Sequence, residues 1–203
     1  MMNLSDINKD LKKRSPNEII QWALAVAKRP IVTTNFRPLE ATLLHAVTNE
    51  NKSIPVIWCD SGYNTPQIYQ HAERTIKQLD LNINLYVPKQ SVAHRNITLG
   101  IPEVDTPAHD EFTRQVKLEP FGRAMKAHQA DVWFTNLRKD QTAHRSTLDI
   151  VSQTADGVLK ICPFFYWNDS QLEAYIETHG LESENNYYDP TKALEGRECG
   201  LHT

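Results

Sequence analysis

Apolar and polar positions fall into blocks along this chain, and the period within the blocks switches between helix and strand. The stretch from Leu4 to Lys13 is polar and amphipathic. Ser15-Pro16-Asn17-Glu18 then marks a helix start, because Ser15 can cap, Pro16 suits the first helical position and Glu18 can close a capping box. That helix is expected to reach about Lys28, partly burying Ile19, Ile20, Trp22, Leu24 and Val26. Pro30 to Thr34 reads as a short buried strand, and Pro38 is expected to open a helix carrying Leu39, Leu43, Leu44 and Val47.

Ile54 to Cys59 is apolar throughout, as a parallel strand covered on both faces would be. Thr65-Pro66 starts a helix to about Leu79, and Ile83 to Val87 forms the next strand. Regular signals fade between Pro88 and Pro107, a stretch expected to be functional or irregular. A helix from Phe121 to His128, strands at Asp131–Thr135 and Val158–Cys162, and a final helix capped by Asn168-Asp169 with Leu172, Tyr175 and Ile176 on one face complete the pattern. The segment from Glu182 to Arg197 is polar and irregular. Alternating strands and helices predict an α/β fold with a mainly parallel central sheet and helices on both faces. The expected organisation is a helical segment over 1–29, an α/β nucleotide-binding domain over 30–180 and a mobile C-terminal tail over 181–203.

Composition narrows the function. A content of 40% hydrophobic and 23% charged residues suits a globular domain, and no apolar run or basic, apolar leader points to a membrane or export, so the cytoplasm is the default. The formal charge of −3 argues against stable nucleic-acid binding, so an anionic ligand needs a local basic cluster. Cys59, Cys162 and Cys199 form no C-x-x-C pair, which argues against disulfide stapling, structural zinc and a four-cysteine cluster. Cys59 and Cys162 lie in apolar strands and are expected to be buried.

In a parallel sheet, ligands collect beyond the carboxyl ends of the strands. Thr33-Thr34-Asn35-Phe36-Arg37 precedes an expected helix start and suits a phosphate, although an ordinary cap and turn uses the same residues. Asp60-Ser61-Gly62-Tyr63 is a polar turn with a glycine for its sharpest bend. Arg138, Lys139, His144 and Arg145 gather after the fourth strand signal, either as an anion site or as a solvated basic turn. The terminus, Arg197-Glu198-Cys199-Gly200-Leu201-His202-Thr203, carries a thiol among basic neighbours that favour its thiolate, the alternative being an incidental exposed cysteine.

These stretches together resemble the assimilatory phosphoadenylyl-sulfate (PAPS) reductases, thioredoxin-dependent members of the adenine-nucleotide α-hydrolase-like (Rossmann-like) fold that carry no iron–sulfur cluster. The terminal E-C-G-L-H, the D-[ST]-G-Y turn at 60–63, the L-R-x-x-Q-[ST]-x-x-R segment at 137–145 and the modified pyrophosphate loop at 33–37 carry the resemblance in family order over most of residues 30–203.

The resemblance implies that Cys199 attacks the sulfonate of PAPS and expels adenosine 3′,5′-bisphosphate, and that thioredoxin (or glutaredoxin) releases sulfite from the resulting S-sulfonate. That places the chain in sulfate assimilation and cysteine biosynthesis, with no bound cofactor or metal and a homodimeric assembly. Thr33, Thr34, Asn35, Phe36, Asp60, Ser61 and Gly62 would line the nucleotide. Arg138, Gln141 and Arg145 would hold phosphate or sulfate, and His202 would assist. Arg37, Lys139, Lys192 and Arg197 are further candidates.

The chain departs from the family at Arg37, where a glycine is usual, in the loop from Ser91 to Glu111, and between Leu181 and Arg197, which is short and lacks G-Y-x-S-[IV]-G. Alternatives are adenylyl sulfate (APS) as substrate, an adenylating enzyme of the same fold, and a non-catalytic nucleotide-binding subunit. The loop lacks the S-G-G-x-D-S pattern that adenylation needs, and the tail thiol is superfluous to a binding module.

Overall fold

A computed structural model describes residues 3–192. The helices are α1 (Leu4–Leu11), α2 (Pro16–Val26), α3 (Ala41–Glu50), α4 (Pro66–Leu79), α5 (Val92–Thr98), α6 (Pro107–Thr113), α7 (Glu119–His128) and α8 (Asp169–Thr178). The strands are β1 (Pro30–Thr34), β2 (Val56–Cys59), β3 (Ile83–Tyr86), β4 (Val132–Phe134), β5 (Val151–Gln153) and β6 (Leu159–Ile161). They form one sheet in the order β3-β2-β1-β4-β6-β5, parallel except for β5, which runs antiparallel to β6. The expected α/β architecture is therefore present.

Strand alternation divides the core between two faces. Val32, Val56, Trp58, Val132, Phe134, Leu159 and Ile161 face the larger cluster, where α2, α3, α4 and α8 contribute Ile20, Leu43, Leu44, Ile68 and Leu172. Ile31, Ile57 and Trp133 point the other way, into a smaller cluster covered by Ala124, Phe121 and Met125 of α7. α3 is buried over most of its length, since it lies among α2, α4 and α8 as well as against β1. Ser15 and Glu18 form the expected capping box, and Asn168 forms a second one with Gln171. Gly180, at φ 60°, ends α8 in a Schellman turn, with Leu181 N–H bonded to Ile176 O and Gly180 N–H to Glu177 O.

Several local expectations are corrected. α3 begins at Ala41 instead of Pro38, because the chain turns through left-handed conformations at Phe36 (φ 53°) and Leu39 (φ 66°) before it can coil. Val26 is exposed, since it falls on the solvent side of the last turn of α2. The weakly patterned 88–107 stretch contains α5, started by Ser91 accepting a hydrogen bond from His94 N–H. α6 continues into a π turn over Arg114–Leu118, and β5 is an additional edge strand. The Asn8 side chain covers that edge, donating to Val151 O and accepting from Val151 N–H, each at 2.8 Å. One carboxamide thus stands in for a strand partner at an otherwise open edge.

Candidate active site

An open cleft, about 690 Å³ with the solvent at its mouth included, lies beyond the carboxyl ends of β1, β2 and β4. Its rim includes Thr33 and Thr34 at the end of β1, Asn35, Arg37 and Glu40 after it, Cys59 at the end of β2, Thr135 and Arg145 after β4, Lys117 from the π turn, and Tyr187 and Lys192 near the end of the described chain. A second concavity shares Asn35, Cys59, Lys117 and Tyr187 and adds Ser61, Asn64 and Asp189. A wider groove runs along the thinly covered sheet face, between α7 and the β5–β6 hairpin. The strand-end cleft is the candidate site because loops from the sheet's centre bring polar side chains together there.

The β1 loop is closed on itself. Thr33 Oγ1 accepts from Trp133 Nε1 at 2.8 Å. Thr34 Oγ1 donates to Glu40 Oε2 at 2.9 Å and accepts from Phe36 N–H at 3.0 Å, while Asn35 N–H donates to the same Glu40 oxygen at 2.9 Å. Arg37 folds back, with Nε 3.0 Å from Glu40 Oε1 and Nη2 2.5 Å from Asn136 O. Lacking glycine at position 37 costs the backbone little, because the left-handed residues are Phe36 and Leu39. Phe36 itself is 1% exposed and packs edge-on against Trp58, anchoring the loop in the core.

The turn after β2 is organised by Asp60, whose carboxylate accepts from Gly62 N–H, Asn64 Nδ2 and Tyr69 OH at 2.9–3.0 Å. Gly62 sits at φ +83°, and a Cβ there would lie 2.3 Å from Val92 Cγ2 of α5. A larger residue would displace α5 from the turn. Ser61 lines the adjoining concavity, whereas Asp60 and Gly62 shape it from outside.

After β4, Arg145 is 2% exposed and reaches the cleft. Gln141 Oε1 accepts from Arg145 Nη1 and, at 3.1 Å, from Arg138 N–H, so Gln141 fixes the guanidinium without lining the cleft. Arg138 points away and pairs with Asp169 at the start of α8. Lys139 is exposed, its ammonium 5.8 Å from the Tyr166 ring.

Residues 180–192 form a strap from α8 across the strand ends. Gln78 Nε2 donates to Gly180 O, Arg74 pairs with Glu182, Leu39 N–H donates to Ser183 Oγ and Thr65 Oγ1 donates to Asn186 O. The Tyr187 hydroxyl lies 2.6 Å from the Asn35 carboxamide, and His109 Nε2 lies 3.0 Å from Pro190 O. Asp189 is held in a buried ion pair with Lys117, whose ammonium also donates to Thr191 Oγ1 at 3.1 Å. Burial pushes the Asp189 carboxyl up, but Lys117 and Thr191 outweigh it and leave the pKa below its ordinary value. Burial raises the Tyr187 phenol well above its ordinary value, and the charges of Asp189 and Glu40 add to the effect.

The two described thiols are protonated at neutral pH. Burial pushes Cys59 and Cys162 up to about 12 each, despite Lys117 and Arg123 near the first and Lys160 near the second. Cys162 is buried as expected, whereas Cys59 is partly open at the cleft. The sequence-based reading of the site did not include Lys117, Glu40, Tyr187 or Asp189. The one local signal was Lys117 just before the Glu119-Pro120 helix start, in a stretch with no other motif. Cys199, His202 and Arg197 lie outside the described residues.

The fold is α/β of the adenine-nucleotide α-hydrolase-like kind, and the candidate site lies on the carboxyl edge of its sheet. A U34-tRNA thiolase from Methanococcus maripaludis has this fold, with a TM-score of 0.61 at 14% identity over 88% of this chain and 66% of that one. The family profile described as the phosphoadenosine phosphosulfate reductase domain matches residues 29–189, and the chain belongs to that family. It is 30% identical to a phosphoadenosine 5′-phosphosulfate reductase of Erwinia tasmaniensis, covering 100% of this chain and 93% of the relative. A relative of the same description from Photobacterium profundum is 31% identical, over 100% and 89%. A phosphoadenylyl-sulfate reductase structure from Candida auris, a phosphate complex, has a TM-score of 0.77 at 25% identity, over 88% and 86%.

Proposed function

We propose that the protein reduces 3′-phosphoadenylyl sulfate to sulfite and adenosine 3′,5′-bisphosphate. Cys199 as thiolate attacks the sulfonate sulfur. The bond from that sulfur to the phosphate oxygen breaks, and the bisphosphate leaves with the electron pair. A thioredoxin thiolate then attacks Cys199 Sγ and sulfite departs. The second thioredoxin thiol resolves the mixed disulfide, so thioredoxin is oxidised and Cys199 is returned as a thiol.

The observation that carries this reading is the pairing of a strand-end cleft bearing Lys117, Arg145 and Lys192 with resident thiols unfit for attack. At a pKa of about 12, only on the order of one Cys59 in 10⁵ is ionised at neutral pH. That favours a thiol nucleophile supplied from elsewhere in the chain. Cys199 is seven residues beyond Lys192, which lines the cleft, and seven residues reach at most about 24 Å. The family and the names of its members support a sulfonucleotide as substrate. Cations at the rim would stabilise the leaving bisphosphate and favour the Cys199 thiolate. The remaining proposed contacts are Thr33, Thr34 and Asn35 to the nucleotide, Ser61 at the adjoining concavity, and His202 and Arg197 beside Cys199.

Sulfite release from PAPS and from APS, each with reduced thioredoxin, tests the proposal. Release from PAPS that disappears in Cys199→Ser is expected. No sulfite from either donor, or full activity without Cys199, contradicts it.

A further inference from the structure

Glu40 occupies the position in the β1 loop where an oxyanion guest would sit. It is 6% exposed yet belongs to the cleft rim. A backbone amide (Asn35), a hydroxyl (Thr34) and a guanidinium (Arg37) converge on its two oxygens at 2.9–3.0 Å. With the Asn35 carboxamide oxygen turned to accept from Tyr187, its nitrogen reaches both Glu40 oxygens as well, at 2.9 and 3.2 Å. These are the donor types with which loops hold phosphate or sulfate. Here the chain's own carboxylate takes them up.

An incoming oxyanion cannot share this seat. The Asn35 amide has a single hydrogen and Arg37 Nε another, both already directed at Glu40. The Glu40 carboxylate would also repel a second anion placed within a few ångströms of it. We propose that Glu40 is a specificity-determining residue. It fills the anion seat of the β1 loop, excludes phosphate and sulfate groups from that part of the cleft, and thereby directs the charged groups of the ligand to the Lys117, Arg145 and Lys192 part of the rim. The β1 loop is left to the uncharged nucleoside portion. This rests on the reading of the cleft as a sulfonucleotide site, but its test uses no turnover, so a failed sulfite assay and a failed anion-seat test are separate results.

The test is calorimetric titration of inorganic phosphate and pyrophosphate into the full chain and its Glu40→Gln variant, with thermal unfolding as the check on folding. Gln is expected to keep the loop folded but removes the charge, and its neutral oxygen holds the Thr34 and Asn35 donors less strongly than an oxyanion does, so an incoming phosphate can displace it. Phosphate is expected to bind Glu40→Gln at least about tenfold more tightly, or at an added site. Unchanged or weaker binding by a folded Glu40→Gln overturns the proposal. Should the variant not fold, the unaltered protein still decides. During a phosphate titration followed by NMR, the Asn35 amide resonance is expected to stay in place while the Arg145 side-chain Nε–H moves. A dominant shift at Asn35 overturns the proposal.

Discussion

Two parts of the same cleft rim handle charge in opposite ways. The β1 loop contains an arginine, a glutamate and small polar residues, and all of them are engaged with one another. The rim formed by Lys117, Arg145 and Lys192 draws its cations from three separated segments: Lys117 is also paired, with Asp189, but Arg145 is oriented by the uncharged carboxamide of Gln141. Residue type in a loop therefore says less about its affinity for anions than the partners each side chain has acquired. A phosphate-type loop can be neutralised from within, while a cationic site can be assembled from positions with no common motif.

The largest effect expected from breaking this contrast is at the strap. Lys117→Met leaves Asp189 buried without its counter-charge and is expected to cost about 3–5 kcal/mol, read as a lowered unfolding midpoint. Lys117→Met combined with Asp189→Asn should recover most of that stability without recovering anion binding. Next comes Arg145→Met, expected to lower kcat/KM for sulfite release by about 100-fold, with Arg145→Lys no better than partly active because Gln141 orients a planar guanidinium. If Arg37→Met costs as much as Arg145→Met, the contrast between the two parts of the rim fails.

A smaller effect is expected from acid. The folded Asp189 pKa lies below its ordinary value of 3.8, so the stabilisation from its ionised form is complete above the unfolded value and is lost as pH falls through the folded one. The strap is expected to contribute fully at pH 5–7 and to weaken below about pH 4, and Asp189→Asn should lack this component of the acid transition. Thermal unfolding of both proteins across that range checks the sign. The smallest perturbation is chemical: iodoacetamide near neutral pH is expected to leave Cys59 and Cys162 unmodified in the folded protein, as peptide mass mapping would show.

Much of the fold was legible because it is local. Capping residues at Ser15, Thr65 and Asn168 and the apolar runs of β1, β2 and β4 announce their elements without tertiary help. α5 and β5 were not legible. The first is a seven-residue helix with little apolar periodicity, and the second is a three-residue strand held in part by Asn8 from the far end of the chain. The onset of α3 was misplaced because Pro38 precedes Leu39 in a left-handed conformation that no local pattern signals.

The site divides in the same way. Thr33, Thr34, Asn35, Arg37, Arg145 and Lys192 stand at the cleft, because strand-end positions follow from topology. Arg138 and Phe36 sit in motifs of the right form yet turn to Asp169 and to the core. Tyr187 and Asp189 were invisible, since their partners Asn35 and Lys117 are 152 and 72 residues away.

In the proposed reaction the cleft supplies the binding charge and Cys199 the nucleophile. Intact-protein and peptide mass measurement after incubation with PAPS, with no thiol reductant present, tests it most directly. The predicted result is a single sulfonate adduct confined to the Cys199 peptide, lost on adding reduced thioredoxin with release of sulfite. An unmodified protein, or an adduct on Cys59, would contradict it.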